Sequence, residues 1–429
     1  MSFNLEEMNP FLIPLLLAAS LTAAHASNVI FIHPDGAGVA HWQAARFLKA
    51  GPDGRLHWDR LPDIAIYRGH MKDNLTGTSN GGATVHAYGV KVPASAFGSD
   101  GVSANPPISA GGKAESLMQE AAKSGFRVGV INSGSIIEPG TACFLASVKN
   151  RSDYEEITRQ VVGSGADVIL SGGEEWMLPE KQTGFHGAPG KRTDGRNLID
   201  EAKKSGYLVV FDKEQLAAVP KNTRKLLGVF ATGHTFNDQT EESLAAAKKP
   251  TYQPQAPTLA DMTAKALEIF SEDKFFLVVE EEGTDNFGNS NNAQGTLDAL
   301  LRADEAFGIA MNFVEKQPDT FLITTADSEA GGMDAIGIAP GSKEQLAVVK
   351  NARDRNGAPY DNVKGEPFLS APDQAGVRHP FVITWNTFTD TSGGIVIRAA
   401  GRGAEKVKGT LDNTDVYRLM REALFSPAP

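Results

Sequence analysis

The 429-residue chain has one cysteine, Cys143, so no disulfide can form within it. A fold of this length must then rest on core burial and on any ions it binds. Cys143 lies in an apolar run and reads as a small buried hydrophobe rather than a reactive thiol. Basic blocks are missing too: with a formal net charge of −11 and no cluster of Lys and Arg, a nucleic-acid partner is excluded as a class. No apolar run reaches the roughly 20 residues that span a bilayer, so no membrane span is expected in the mature chain. Internal repeats and low-complexity tracts are absent. What remains, 41% hydrophobic and 22% charged, suits one large α/β domain or two smaller ones.

Near the N-terminus, the apolar stretch 11–21 precedes Ala24-His25-Ala26, an A-x-A cleavage pattern. That combination is a secretory signal peptide. Residues 1–26 are expected to be removed, leaving a periplasmic or secreted chain that starts near Ser27. The segment ahead of it departs from the usual pattern in carrying Glu6 and Glu7 and no basic residue.

Val29-Ile30-Phe31-Ile32 is a four-residue apolar run of the kind buried on both faces of a parallel sheet. It breaks at Pro34-Asp35-Gly36, and a helical pattern covers 41–49. The alternation recurs, with strand patterns at 128–131, 168–170, 208–211, 275–279, 321–324 and 381–384 and helical patterns at 114–122, 154–162, 259–270 and 296–313. This layout predicts a doubly wound α/β fold with a mainly parallel central sheet flanked by helices. Residues 335–378, rich in Gly, Pro, Asn and Asp, read as a surface insertion, and 92–112 as a second long loop.

One short stretch stands apart. In Gly77-Thr78-Ser79-Asn80-Gly81-Gly82, cap residue types precede a small, glycine-rich first turn, and Gly89 can end the helix. Its N-terminus offers unpaired N–H groups and a positive dipole end to an anion. The nearby His86 lies roughly 10 Å further along the axis, at about 1.5 Å per residue, too far to activate Ser79. A nucleophilic Ser79 therefore needs a metal or a distant histidine.

Metal is favoured by acids at several strand ends. Asp35 follows the first strand; Glu280, Glu281, Glu282 and Asp285 follow 275–279; Asp327 and Glu329 follow 321–324. Such ends converge in an open α/β sheet, and a cluster of carboxylates repels itself unless a cation neutralises it.

Taken in order, these segments resemble the alkaline phosphatase family. Asn28 to Gly38 looks like its opening strand and metal aspartate, and Thr78-Ser79 to Lys91 like its nucleophile helix, although an aspartate usually precedes the serine. Glu280 and Asp285 have the family's spacing, Thr324-Thr325-Ala326-Asp327-Ser328-Glu329-Ala330-Gly331-Gly332 looks like its Thr-x-Asp-His-Glu-x-Gly-Gly motif, and Gly401-Arg402-Gly403 with Asp412-Asn413-Thr414 resembles its C-terminal segment. The matches run from residue 28 to 414.

The resemblance implies a metal-dependent phosphomonoester hydrolase with a phosphoserine intermediate at Ser79, small phosphate esters as substrates, and a homodimer. Asp35 would bridge two metal positions, Glu280 and Thr141 would bind Mg²⁺ with it, and Arg151 would clamp the phosphate. The Thr141 to Arg151 spacing is one residue short, which leaves Glu138 as the alternative to Thr141. All three zinc-type histidines are replaced, by Asn289, Ser328 and Asp390. With Asp35, Asp285 and Asp327 these form an oxygen set suited to Mg²⁺, Ca²⁺ or Mn²⁺ over Zn²⁺. His33, His234 and His379 are the candidates to replace a missing ligand. The alternatives are a phosphodiesterase on the same scaffold, or an exported protein that binds phosphate or metal without turnover.

Overall fold

The computed structural model describes residues 28–339, 352–358, 360 and 366–425. Ten strands form the central sheet, in the order β13 (Lys408–Asp412), β2 (Asp63–Arg68), β12 (Val396–Gly401), β8 (Thr320–Thr324), β1 (Asn28–Pro34), β7 (Phe275–Glu281), β3 (Arg127–Ser135), β4 (Val168–Gly172), β6 (Leu226–Val229) and β5 (Leu208–Val210). Among the described strands of this sheet only β12 runs against its neighbours. The expected α/β class, with a mainly parallel sheet flanked by helices, is what the chain adopts.

Apolar runs become central strands here because both faces are covered. Successive side chains alternate, so Val29 and Phe31 enter one core while Ile30 and Ile32 enter the other. The helices Leu259–Phe270 and Ala293–Lys316 close the second face. The first of these starts at a reciprocal cap between Thr258 and Asp261. The helices Ser79–Tyr88, Leu117–Lys123 and Asn413–Phe425 close the first. Cys143 is fully buried in that core, and desolvation pushes its thiol up to about 12.

One expected strand leaves the sheet. β11 (Pro380–Thr384) pairs antiparallel with β9 (Asp334–Gly337) and β10 (Phe368–Leu369) in a separate three-stranded sheet. Phe381 stacks on Phe368 and meets Phe47 of the Val39–Ala50 helix edge-on, and both Phe368 and Phe381 join the core on the second face of the main sheet. The 335–378 insertion lies partly, and the expected signal peptide wholly, outside the described residues. No helix among the described residues is long and apolar enough to cross a membrane.

Candidate active site

Register builds the floor of the site. In the parallel pairing of β1 with β7, His33 stands opposite Glu280, and in that of β3 with β7, Asn132 stands opposite Glu280. Opposed residues of neighbouring strands point to one side, so Asn132, Glu280 and His33 form a buried row across three strands. His33 Nδ1 meets the Thr325 carbonyl at 2.8 Å, which leaves Nε2 facing Asp35 Oδ1 at 3.4 Å and Asp327 Oδ1 at 3.8 Å. Just beyond β1, Asp35 is held in place through its own carbonyl, which accepts a hydrogen bond from Thr284.

β7 ends with Glu280 and Glu281, and Glu282 follows at the turn into the next helix. Glu280 and Glu282 turn inward, while Glu281 pairs with Arg302 at 3.1 Å and accepts from Ser133 at 2.9 Å. The short helix Gly283–Asn289 then carries Asp285 and Asn289 one turn apart on one face. The Asn289 amide nitrogen donates to Asp285 Oδ1 at 2.9 Å and to Asp390 Oδ1 at 3.0 Å. Its oxygen accepts from the Gly331 N–H at 2.9 Å. Ser328 is buried beside Asp327, with its hydroxyl 3.5 Å from Oδ1.

Ser79 opens its helix as designed by the local sequence. Thr78 caps it by accepting from the Gly81 N–H at 3.2 Å, and Gly89 ends it at φ +70°. Gly82 has no side chain because a Cβ there would collide with the Asp327 side chain. Thr141 Oγ1 accepts from Asn132 at 2.9 Å and lies 3.4 Å from Glu280 Oε2. Glu138 instead turns to Arg151 at 2.8 Å, which sits at the rim with its side chain part-exposed. Of the two alternatives beside Glu280, the structure thus sets Thr141 against it and ties Glu138 to the guanidinium.

The electrostatics are those of crowded, dehydrated acids. Burial opposes ionisation of Asp35, yet His33, Asp327 and Ser79 around it hold its carboxyl below the usual range. Burial, and then the charges of Asp35 and Glu138, push Glu280 up to about 8 against the pull of His33. Glu282 is raised by burial and by Glu138, Glu280 and Asp35; Asp285 by burial, Asp390 and Asp35; Asp327 by burial, Asp35 and Asp390. His33 is raised although burial opposes it, because Asp35 and Glu280 favour the imidazolium. Arg151 is likewise held charged against burial by Glu138, Glu282, Asp285 and Asp35.

These groups fit a metal. Both oxygens of Asp35, Nε2 of His33, Oε1 of Glu280, Oε2 of Glu282 and Oδ2 of Asp327 are buried with no hydrogen-bond partner. Such orphaned acceptors are costly unless a cation takes them. Two sets bring one ligand atom each within 4.8 Å of one another: His33, Asp35 and Glu280, and Asp35, Glu282 and Asp285.

Asp35, Ser79, Thr141, Arg151, Glu280, Asp285, Asn289, Asp327, Ser328 and Asp390 therefore gather around one pocket at the carboxyl ends of β1, β7 and β8. His234 lies at its edge, its Nδ1 accepting from the Ser135 N–H at 3.2 Å and standing 3.9 Å from Glu138. His379 pairs elsewhere, with Asp373 at 2.8 Å. Sequence reasoning did not single out Asn132, which shows its place only through the strand register. Nor did it separate Glu282 from the acids beside it, since its place is set by the turn that starts the Gly283–Asn289 helix and not by the strand period.

Comparison with known proteins agrees with this geometry. The alkaline phosphatase family model matches residues 26–425. An alkaline phosphatase of Escherichia fergusonii is 26% identical over 450 residues, covering 95% of this chain and 88% of the relative. A membrane-bound alkaline phosphatase of Bombyx mori is 27% identical, over 87% of this chain and 74% of the relative. The solved alkaline phosphatase of Thermus thermophilus superposes with a TM-score of 0.72 at 22% identity, covering 94% of this chain and 92% of that one, which shows the shared fold. With a family match across nearly its whole length and buried acids gathered where that fold gathers its strand ends, this chain belongs to the alkaline phosphatase family.

Proposed function

We propose that the chain is a metal-dependent phosphomonoester hydrolase working through a phosphoserine at Ser79 and releasing inorganic phosphate from esters outside the cytoplasm. The observation that carries this reading is a buried hydroxyl at a helix N-terminus beside orphaned carboxylates, with an arginine over the same pocket.

Ser79 Oγ attacks phosphorus in line, the ester P–O bond breaks, and the alcohol leaves. Water then attacks the phosphoseryl group, freeing phosphate and restoring the hydroxyl. Divalent cations held by Asp35, Glu280, Asp285, Asp327 and their neighbours would supply the acidity that ionises Ser79 and the hydrolytic water, and would shield charge on the transferred group. The positive N-terminal end of the Ser79–Tyr88 helix attracts the same oxygens. Arg151, fixed by Glu138, offers a guanidinium to the equatorial oxygens, where charge spreads during transfer. His33 and Asn132 orient Asp35 and Glu280 from the floor of the pocket.

Hydrolysis of a chromogenic aryl phosphate by the purified protein with Mg²⁺ or Mn²⁺ tests the reading. Ser79→Ala should lower kcat by on the order of 10³-fold or more, since the covalent route closes. Turnover that survives this substitution would refute the nucleophile, and an inactive wild type would leave a binding protein. Export rests on the apolar stretch ahead of Ala24-His25-Ala26. A mature N-terminus near Ser27, read by mass spectrometry, is the expected result.

A further inference from the structure

We propose that Glu282, with Asp35 and Asp285, holds a divalent cation at a position made only of carboxylates. Glu282 has no place in the ligand set that the family resemblance implied. The inference deepens the phosphatase reading, since the cation would share its pocket, but binding can be measured without turnover.

Four observations converge on it. Glu282 lies just past the end of β7, at the turn that starts the Gly283–Asn289 helix, and that turn brings it to Asp35 and Asp285, while Oε1 of Glu281 is held by Arg302 and Ser133. One oxygen from each of Asp35, Glu282 and Asp285 lies within 4.8 Å of the others, and all three residues are buried. Glu282 Oε2 and both Asp35 oxygens lack any partner, so the set points unpaired acceptors at a common space. That space is built: a Cβ on Gly134 of β3 would stand 2.8 Å from Glu282 Cγ and 2.9 Å from its Cβ, so glycine there makes room for the side chain.

Asn289 explains why the cation would sit here. Its amide nitrogen already occupies the gap between Asp285 Oδ1 and Asp390 Oδ1, and its oxygen is taken by Gly331. A neutral donor fills that side of Asp285 and leaves the side facing Asp35 and Glu282 for a charge. Three carboxylates without imidazole or thiolate select a hard cation, Mg²⁺, Mn²⁺ or Ca²⁺.

The test uses the full chain stripped with EDTA and equilibrated with MnCl₂, bound metal being counted by elemental analysis after dialysis. Glu282→Gln should lose one Mn²⁺ per chain, and Glu282→Asp should keep the stoichiometry but bind at least about tenfold more weakly, the smallest loss that even an outer-sphere partner brings. In EDTA the Gln variant should melt no lower than wild type, because a neutral amide of the same shape replaces one of several crowded acids, and its Tm should rise less on adding Mn²⁺. Unchanged Mn²⁺ stoichiometry and affinity in Glu282→Gln would overturn the proposal. If that variant fails to fold, unchanged affinity in Glu282→Asp overturns it instead. Aryl phosphate hydrolysis is scored separately: loss of one Mn²⁺ from a protein whose wild type has no activity would support this site and refute the phosphatase reading.

Discussion

His33 on β1 and Glu280 on β7 stand opposite one another in the register of two parallel strands, both fully buried. The pairing puts an imidazole nitrogen and a carboxylate on the same side of the sheet, next to Asp35, in a pocket where three histidines expected of the family are missing. Among the histidines of the described residues, His33 is the one that the central strands aim at this cluster.

His33→Ala should therefore weaken Mn²⁺ or Mg²⁺ binding by about tenfold or more, with His379→Ala near wild type. Isothermal titration of the two variants decides between them. Equal affinities would mean that His33 only packs, against Phe31 and His86.

Metal content follows from the donor set. Purified protein should carry Mg, Mn or Ca above zinc, because Asn289, Ser328 and Asp390 stand where imidazoles would be and one histidine remains. Two tightly held zinc ions per chain by elemental analysis would contradict this.

Arg151 is expected to act on the transferring phosphoryl group. Arg151→Ala should cost roughly 10²- to 10³-fold in kcat/KM toward an aryl phosphate, as for loss of one strong donor to developing charge. Arg151→Lys should recover only part, since an ammonium lacks the planar fork and cannot bridge Glu138 and phosphate in the same way. A wild-type rate in the Ala variant would remove the arginine from the mechanism.

The metal-free protein should lose stability as pH rises. Glu280, shifted from 4.5 to about 8 by burial and its acidic neighbours, binds its proton more tightly folded than unfolded. The stability tied to that proton is complete below about pH 4.5, declines above it, and is gone past about pH 8. His33, also raised, adds a loss in the same direction above its ordinary value of 6.5. Melting curves in EDTA from pH 5 to 8 should shift downward by a few degrees, and added Mn²⁺ should restore progressively more as pH rises. A flat EDTA series would show that the carboxylates do not share a dehydrated pocket.

Much of the architecture was readable along the chain because it depends on neighbours in sequence. Apolar runs such as Val29 to Ile32 dictate doubly covered strands, and the cap at Thr78 with Gly89 delimits the Ser79 helix to the residue. The antiparallel β12 and the departure of β11 to a second sheet were not readable, since both turn on which distant strand offers a free edge. Among the site acids, sequence placed Asp35, Asp285 and Asp327 at strand ends but said nothing of how their oxygens face.

The order of residues alone determined the fold class, the capped helix that presents Ser79, and the supply of acids where strands end, because periodicity and capping act over a few residues. Tertiary structure alone decided that His33 joins the cluster while His379 does not, that Glu280 and Glu282 face the pocket while Glu281 is neutralised by Arg302, and that Asn289 ties two carboxylates together. Those outcomes depend on the register of strands far apart in the chain, and on a buried space in which each unpaired oxygen must find a proton, a donor or a cation.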